Sequence, residues 1–325
     1  MSSAVAIETR GLTRVFGDYV AVDRIDLSVR EGSIYGFLGL NGAGKTTTLK
    51  MLTTLLKPSS GTAHIMGFDV EREYVDVRAN IGVLAELEGI TQPFWTPEEY
   101  LHYFARLQGI PKETRDARIQ QLLKTVGLTE VRKVPIGTFS AGMKRKVEIL
   151  RALIHEPPVL FLDEPTRELD VTAKVDIWVM LERLVADNKT TVFLLSHDVL
   201  EMERLVDELA VIRKGKIAHR GHVSDLKRTS IVRIGAPDPE SVTQRLKSIP
   251  LVKDTWTERG AVYAELTDLS RRADLLRALV MAGVQVEEFA AKTKLDEALA
   301  ELLREAPIGD ASSGLAPAAK AEVTV

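Results

Sequence analysis

The sequence predicts an α/β protein built on a parallel sheet, with an antiparallel β portion, a helical insert and a smaller α+β domain after them. Three observations carry that prediction. The short runs "SIYGFLGL", "PVLFLDE" and "TTVFLLSH" are almost continuously apolar and end in polar residues, as strands buried on both faces of a parallel sheet do. Other segments alternate apolar and polar residues and are broken by Gly or Asp, the pattern of half-exposed strands. From about residue 229 the composition changes, and a chain of 325 residues is long enough for two unequal domains.

The elements follow in order. "AIETRGLTRVF", "YVAVDRIDLSV" and "GTAHIMGFDV" read as antiparallel strands, because β-branched residues alternate with polar ones. The apolar runs read as parallel strands whose polar ends gather along one sheet edge, where such sheets bind ligands. Within a first domain of residues 1–228, residues 96–156 form a helical subdomain: "TPEEYLHYFARL", "ETRDARIQQLLKTVGL" and "AGMKRKVEILRALI" have helical periodicity, and Thr96 followed by Pro97 marks a helix start. Residues 229–306 read as strand, helix, strand, strand, helix, strand, helix, the order of a ferredoxin-like domain. Residues 307–325 are rich in Ala, Pro, Gly and Ser without a periodic apolar face, so a disordered tail is expected.

Bulk composition limits the function. An apolar content of 45% with 27% charged residues is ordinary for a globular protein, and a net charge of −3 argues against nucleic acid as a partner. The absence of cysteine excludes disulfides and thiolate metal sites and fits a reducing cytosol. "MSSAVAIETR" has no export pattern, and no apolar run approaches the roughly 18 residues of a membrane helix. Any membrane-spanning part of the system is expected on another polypeptide.

The chemistry begins at "GLNGAGKT", Gly39 to Thr46, which matches G-x-x-x-x-G-K-[ST] between a strand and a helix. Its glycines allow backbone N–H groups to point at phosphates, so Asn41, Gly42, Ala43, Gly44, Lys45, Thr46 and Thr47 are candidate nucleotide contacts. Lys45 adds a point charge, and the Thr46 hydroxyl is a Mg²⁺ ligand candidate. Asp163, at the end of "PVLFLD", is the complementary Mg²⁺ carboxylate, and Glu164 beside it is the candidate general base for water attack. Adjacent strand residues point oppositely, so the two carboxylates take separate roles. "TFSAGMKRKVEIL" places Ser140 and two small residues before a helix, a second start suited to a phosphate. "TKLD", Thr293 to Asp296, looks like a guanine-reading element, but its place before "EALAELL" suits a capping box, which discounts GTP.

Together these residues make the chain resemble ATP-binding subunits of ABC transporters, in the subgroup of drug, sodium and polysaccharide exporters. The resemblance covers residues 5 to about 228 strongly and the remainder loosely. It implies a P-loop NTPase fold and a chain that binds and hydrolyses ATP with Mg²⁺. It further implies that two copies sandwich nucleotide, and that they work peripherally on the cytoplasmic face of the membrane through a separate ABC-2-type permease. Ser140, Ala141, Gly142 and Met143 stand at the signature, which in that family closes over the ATP held by the partner's phosphate loop. Phe16 stands at the adenine-stacking position, Asp170 at the loop after the Mg²⁺ strand, and His197 at the switch histidine. Glu86 stands where a glutamine contacting Mg²⁺ and the attacking water is usual. Leu40, Arg167 and Glu168 depart from the common pattern, which bears on hydrolysis rate more than on binding.

Blander readings stand beside these. Phe16 and His197 suit a core as well as a site, and Lys144, Arg145 and Lys146 read as a solvated helix face. Phe94, Trp95, Tyr100, Tyr103 and Phe104 suit either a core or a groove for a permease helix. His219 and His222 have metal-like spacing without supporting ligands, in a segment read as a surface turn. A soluble ATP-switched regulatory module with weak hydrolysis is the alternative function, slightly favoured by Glu86 and "RELD".

Overall fold

The computed structural model describes residues 4–85, 93–223, 231–258, 260–267 and 271–291. It opens with β1 (Val5–Phe16) and β2 (Tyr19–Arg30), then β3 (Ile34–Leu38), α1 (Lys45–Leu52), β4 (Ser60–Ile65), β5 (Phe68–Asp69), α2 (Tyr74–Ala79) and β6 (Ile81–Leu84). The helices α3 (Pro97–Leu107), α4 (Lys112–Thr125) and α5 (Ala141–Leu153) follow, with a single 3-10 turn at Ile136–Thr138. Next come β7 (Val159–Asp163), α6 (Val171–Asn188), β8 (Thr191–Ser196), α7 (Val199–Leu205), β9 (Glu208–Arg213) and β10 (Lys216–His222).

The first sheet has the order β2-β1-β4-β5 and is antiparallel. The second has the order β10-β9-β3-β8-β7-β6, with the five strands from β9 to β6 parallel and β10 antiparallel at its edge. Strand alternation sends successive side chains of this sheet into two cores. Phe37, Phe161 and Phe193 face the first sheet, meeting Ile7, Leu12, Ile25, Leu49 and Met51. Leu160, Leu162 and Leu194 face the helices, meeting Leu101, Leu123, Val147, Leu150, Ile177 and Leu181. Phe193 lies at the centre of an aromatic group, 5.4 Å from Phe37 and 5.6 Å from Phe161 between ring centroids. Every residue of β7 and β8 is buried, which explains their continuously apolar sequences.

A third unit comprises β11 (Ile231–Gly235), α8 (Pro239–Leu246), β12 (Val252–Glu258), β13 (Ala261–Leu266), α9 (Arg272–Met281) and β14 (Glu288–Ala291). Its antiparallel sheet has the order β12-β13-β11-β14, as the strand-helix-strand-strand-helix-strand reading requires of a ferredoxin-like unit. Val232, Ile234, Val262 and Ala264 pack with Val242, Leu246, Leu275 and Leu279 from its helices. The expected last helix, with Thr293 and Asp296, and the tail at 307–325 lie outside the described residues.

Local differences from the sequence reading have physical causes. "GTAHIMGFDV" is a hairpin rather than one strand, since Met66 and Gly67 both adopt positive φ and pair β4 with β5. His219 and His222 lie in β10, not in a turn, and an odd spacing on a strand directs them to opposite faces. Thr96 does open α3, where its hydroxyl accepts from the Glu99 N–H and the Glu99 carboxylate accepts from the Thr96 N–H. Among the described residues no helix is long and apolar enough to cross a membrane.

Candidate nucleotide site

The parallel strands deliver their last residues to one sheet edge. β3 runs into the glycine-rich loop, β7 ends at Asp163, and β8 leads to His197. Gly44 caps α1 at φ 113°, and a Cβ there would lie 2.7 Å from the Ala21 carbonyl oxygen, so loop and first sheet fit only around a glycine. No side chain caps this helix, so its first N–H groups remain directed out of the loop, with the positive end of the helix dipole behind them.

A cleft of about 420 Å³ opens beside this loop, lined by Phe16, Tyr19, Ala21, Leu40, Asn41, Gly42, Gly44, Lys45, Thr46, Thr47 and Arg167. Phe16 is 44% exposed, which places it at the cleft and not in the core. The Arg14 guanidinium lies 4.5 Å from the Phe16 ring centroid and donates to the Lys57 carbonyl at 2.8 Å. It therefore covers the ring from one side. Ala43, within the loop, is buried against the first core and does not line the cleft.

Lys45 is buried, and its Nζ donates to the Gly39 carbonyl at 2.7 Å and stands 3.7 Å from Glu164 Oε1. Thr46 Oγ1 donates to Asp163 Oδ2 at 3.4 Å. A hydroxyl beside a buried carboxylate at a phosphate loop is a donor set of hard oxygens, which suits Mg²⁺, an ion that keeps water and phosphate as its other ligands. Glu164 does not continue β7. It takes φ 50°, while its N–H donates to the Leu195 carbonyl at 2.9 Å, so its side chain leaves from a left-handed turn at the end of the strand. Glu164 is therefore not the next residue of a regular strand, and its left-handed backbone carries strain of order 1–3 kcal/mol for a non-glycine residue. The turned carboxylate meets His197 Nδ1 at 2.8 Å from Oε1. Thus Lys45, Thr46, Asp163, Glu164 and His197 form one connected group.

Asp163, Glu164 and His197 stand behind the cleft lining and connect to it through Thr46 and Lys45, whereas Ser140, Gly142 and Asp170 neither line the cleft nor belong to that connected group. Ser140 caps α5, its hydroxyl accepting from the Met143 N–H, and Asp170 caps α6, its carboxylate accepting from the Ala173 N–H at 2.9 Å. A Cβ at Gly142 would lie 2.7 Å from Ala173 Cβ, so this residue is small for the contact between the two helices as well. Lys144, Arg145 and Lys146 are half-buried and not a freely solvated face: Lys146 reaches Asp176 of α6 at 2.7 Å, and Arg145 reaches Glu148 at 3.3 Å. Glu86 lies outside the described residues.

The comparisons decide the family. A family model described as ABC transporter matches residues 22–167. The daunorubicin/doxorubicin resistance ATP-binding protein of Streptomyces peucetius is 35% identical over 300 residues, spanning 90% of this chain and 90% of that protein. The chain belongs to the ABC transporter ATP-binding family. An ABC transporter relative, the Nod factor export ATP-binding protein I of Burkholderia lata, is 36% identical over 266 residues, with 81% of this chain and 86% of that protein covered. A bacterial ABC transporter cassette solved as a dimer has the same fold, with a TM-score of 0.59, 23% identity, and coverage of 66% of this chain and 98% of that one. As a member of this ABC family the protein binds ATP and hydrolyses it to ADP and phosphate. Sequence reasoning missed Tyr19 at the cleft and Arg14 against the Phe16 ring, because an exposed strand end carries no spacing signal; only Tyr19's aromatic character so near Phe16 hinted at it.

Proposed function

We propose that this chain is the energy-supplying subunit of an ABC-2-type exporter, working as a nucleotide-sandwiched pair on the cytoplasmic face of a separate permease. The observation that carries the site assignment is the convergence of Lys45, Thr46, Asp163, Glu164 and His197 beside a phosphate-binding loop. Phe16 stacks on the adenine, and the N–H groups of residues 41–47 with the Lys45 ammonium hold the phosphates. Thr46 and Asp163 hold Mg²⁺, which offsets phosphate charge when bound; Glu86 is assigned to the same ion and to the attacking water.

In the structure Lys45 and His197 both address Glu164 Oε1. In our reading a triphosphate draws both toward its own charge, releasing the carboxylate to accept a proton from water. General-base assistance of this kind contributes about 10²- to 10⁴-fold in rate. Ser140 and Gly142 neither line their own chain's cleft nor belong to the group connected through Lys45, Thr46 and Glu164, which supports their use against the nucleotide of a second copy. Asp170, which opens α6, is placed in the same interface.

Export rests on the relatives, whose names include drug resistance and Nod factor export. The permease is assigned to the segment from Glu86 to Phe104. There Tyr100 is buried, Trp95 and Phe104 are packed against the core, and Tyr103 and Phe94 are exposed, the latter by 87%. An apolar side chain standing out beside a packed aromatic base suits a partner helix. Affinity capture from detergent-solubilised membranes, followed by ATPase assay, tests this: a co-purifying integral membrane protein that changes turnover is expected. Capture of soluble partners alone would favour the ATP-switched regulatory module instead.

A further inference from the structure

Glu201, in α7, is fully buried, although a glutamate is seldom so unless it is paired with a cation. The lysine of this region, Lys174, is engaged with Asp198 at 2.7 Å. Glu201 is held by neutral donors. Its Oε1 accepts from Thr166 Oγ1 at 2.8 Å and from the Trp178 indole N–H at 3.3 Å. Oε2 is enclosed without a hydrogen-bond partner. Burial, against these bonds, holds its pKa above the usual carboxyl range.

The positions of the partners give the carboxyl its meaning. Thr166 lies in the turn that begins at Glu164 and ends at Glu168, both with positive φ, and Glu201 sits in the first turn of α7, which Asp198 opens directly after His197 and where the Glu201 N–H donates to the Asp198 carboxylate at 3.3 Å. Trp178 belongs to α6, whose first turn is capped by Asp170. An apolar side chain of similar volume would fill this space without the cost of desolvating a carboxyl. Directional bonds fix what apolar packing leaves loose, namely the distance between the turn after Glu164 and the helix start after His197.

We propose that Glu201 is a positioning residue for ATP hydrolysis: its buried carboxyl ties the Glu164 turn to the start of α7, directly after His197, and so sets the geometry in which those two side chains work. The inference rests on the reading of Glu164 as the base. It is tested on the purified full-length chain by steady-state ATPase kinetics, fluorescent-nucleotide affinity and thermal melts of Glu201→Ala, Glu201→Gln and Thr166→Val. Glu201→Ala is expected to lower kcat by about tenfold or more while nucleotide affinity changes by less than about twofold, since only the transition-state arrangement is lost. Glu201→Gln keeps an acceptor for Thr166 and is expected to recover most of kcat. Thr166→Val cuts the same bond from the other end, so the Glu201→Ala, Thr166→Val double variant should fall little below either single one. Parent-level turnover in a folded Glu201→Ala protein overturns the proposal, as does equal impairment of Glu201→Gln or a double variant whose losses multiply. Should Glu201→Ala not fold, the kcat of Thr166→Val, unchanged or lowered, decides. Parent-level turnover in Glu164→Gln removes the base assignment instead, so the two failures are read from different variants.

Discussion

Lys45 shows how much of the site one side chain organises, because its buried ammonium is satisfied by two loop carbonyls and by Glu164, all of which a triphosphate would replace. Lys45→Ala is therefore expected to weaken ATP binding by about 100-fold or more, since charge-assisted bonds to phosphate contribute roughly 1.5–3 kcal/mol each and the loop loses its cation as well. Equilibrium binding of a fluorescent ATP analogue checks this. Phe16 contributes through stacking alone. Phe16→Ala should raise KM for ATP by about tenfold with kcat unchanged, as base–aromatic stacking contributes about 1–3 kcal/mol. At this scale, residues whose chemistry follows from local spacing were legible: the loop from Gly39 to Thr46 and the Asp163–Glu164 pair announce themselves. Phe16 was ambiguous until its exposure was seen. Glu201 was not legible at all, since its partners Thr166 and Trp178 come from other elements of the chain.

Among the elements, α5 and α6 meet so closely that Gly142 has no room for a methyl group against Ala173. Gly142→Val should lower stability by about 1–3 kcal/mol, the usual cost of overpacking, visible as a lower urea midpoint. The helix α7 carries a pH-dependent tie at its start. Burial raises the pKa of Asp198, but bonds from Lys174 and from the N–H groups of Glu201 and Leu200 outweigh it and hold the carboxyl below its usual range. A carboxyl depressed in the folded state adds stability above its unfolded pKa of about 3.9 and loses it as pH falls through the folded value. Asp198→Asn should accordingly be less stable than the parent at pH 7, and the gap in urea midpoint should shrink below about pH 4. The buried parallel strands were readable because both faces are apolar, and α3 because Thr96, Pro97 and Glu99 mark its start. The turn at Glu164 was not, because a left-handed glutamate is imposed by tertiary contacts such as its N–H bond to Leu195.

For the whole molecule, the arrangement of two phosphate-suited helix starts is the feature with the largest consequence. The start of α1 opens into the cleft, whereas that of α5, capped by Ser140, does not line it. A single chain therefore offers its nucleotide one of its two receptors, and a head-to-tail pair of copies would offer both to each of two nucleotides. Attraction across such an interface depends on the number of phosphate charges, because the α5 start acts on the triphosphate end through its dipole and free N–H groups. A hydrolysis-deficient chain should then be trapped in the paired state. Glu164→Gln, which keeps the side-chain volume and removes the base, is expected to sediment as a dimer with ATP and Mg²⁺ and as a monomer with ADP. Adding Ser140→Arg to that variant places a bulky side chain at the proposed interface and should restore the monomer while leaving ATP affinity of the isolated chain within about twofold, since Ser140 does not touch its own cleft. A Glu164→Gln chain that stays monomeric at saturating ATP and Mg²⁺, with and without its membrane partner, would show that the second helix start serves something other than nucleotide, and the sandwich would have to be abandoned while the ATP site itself stood.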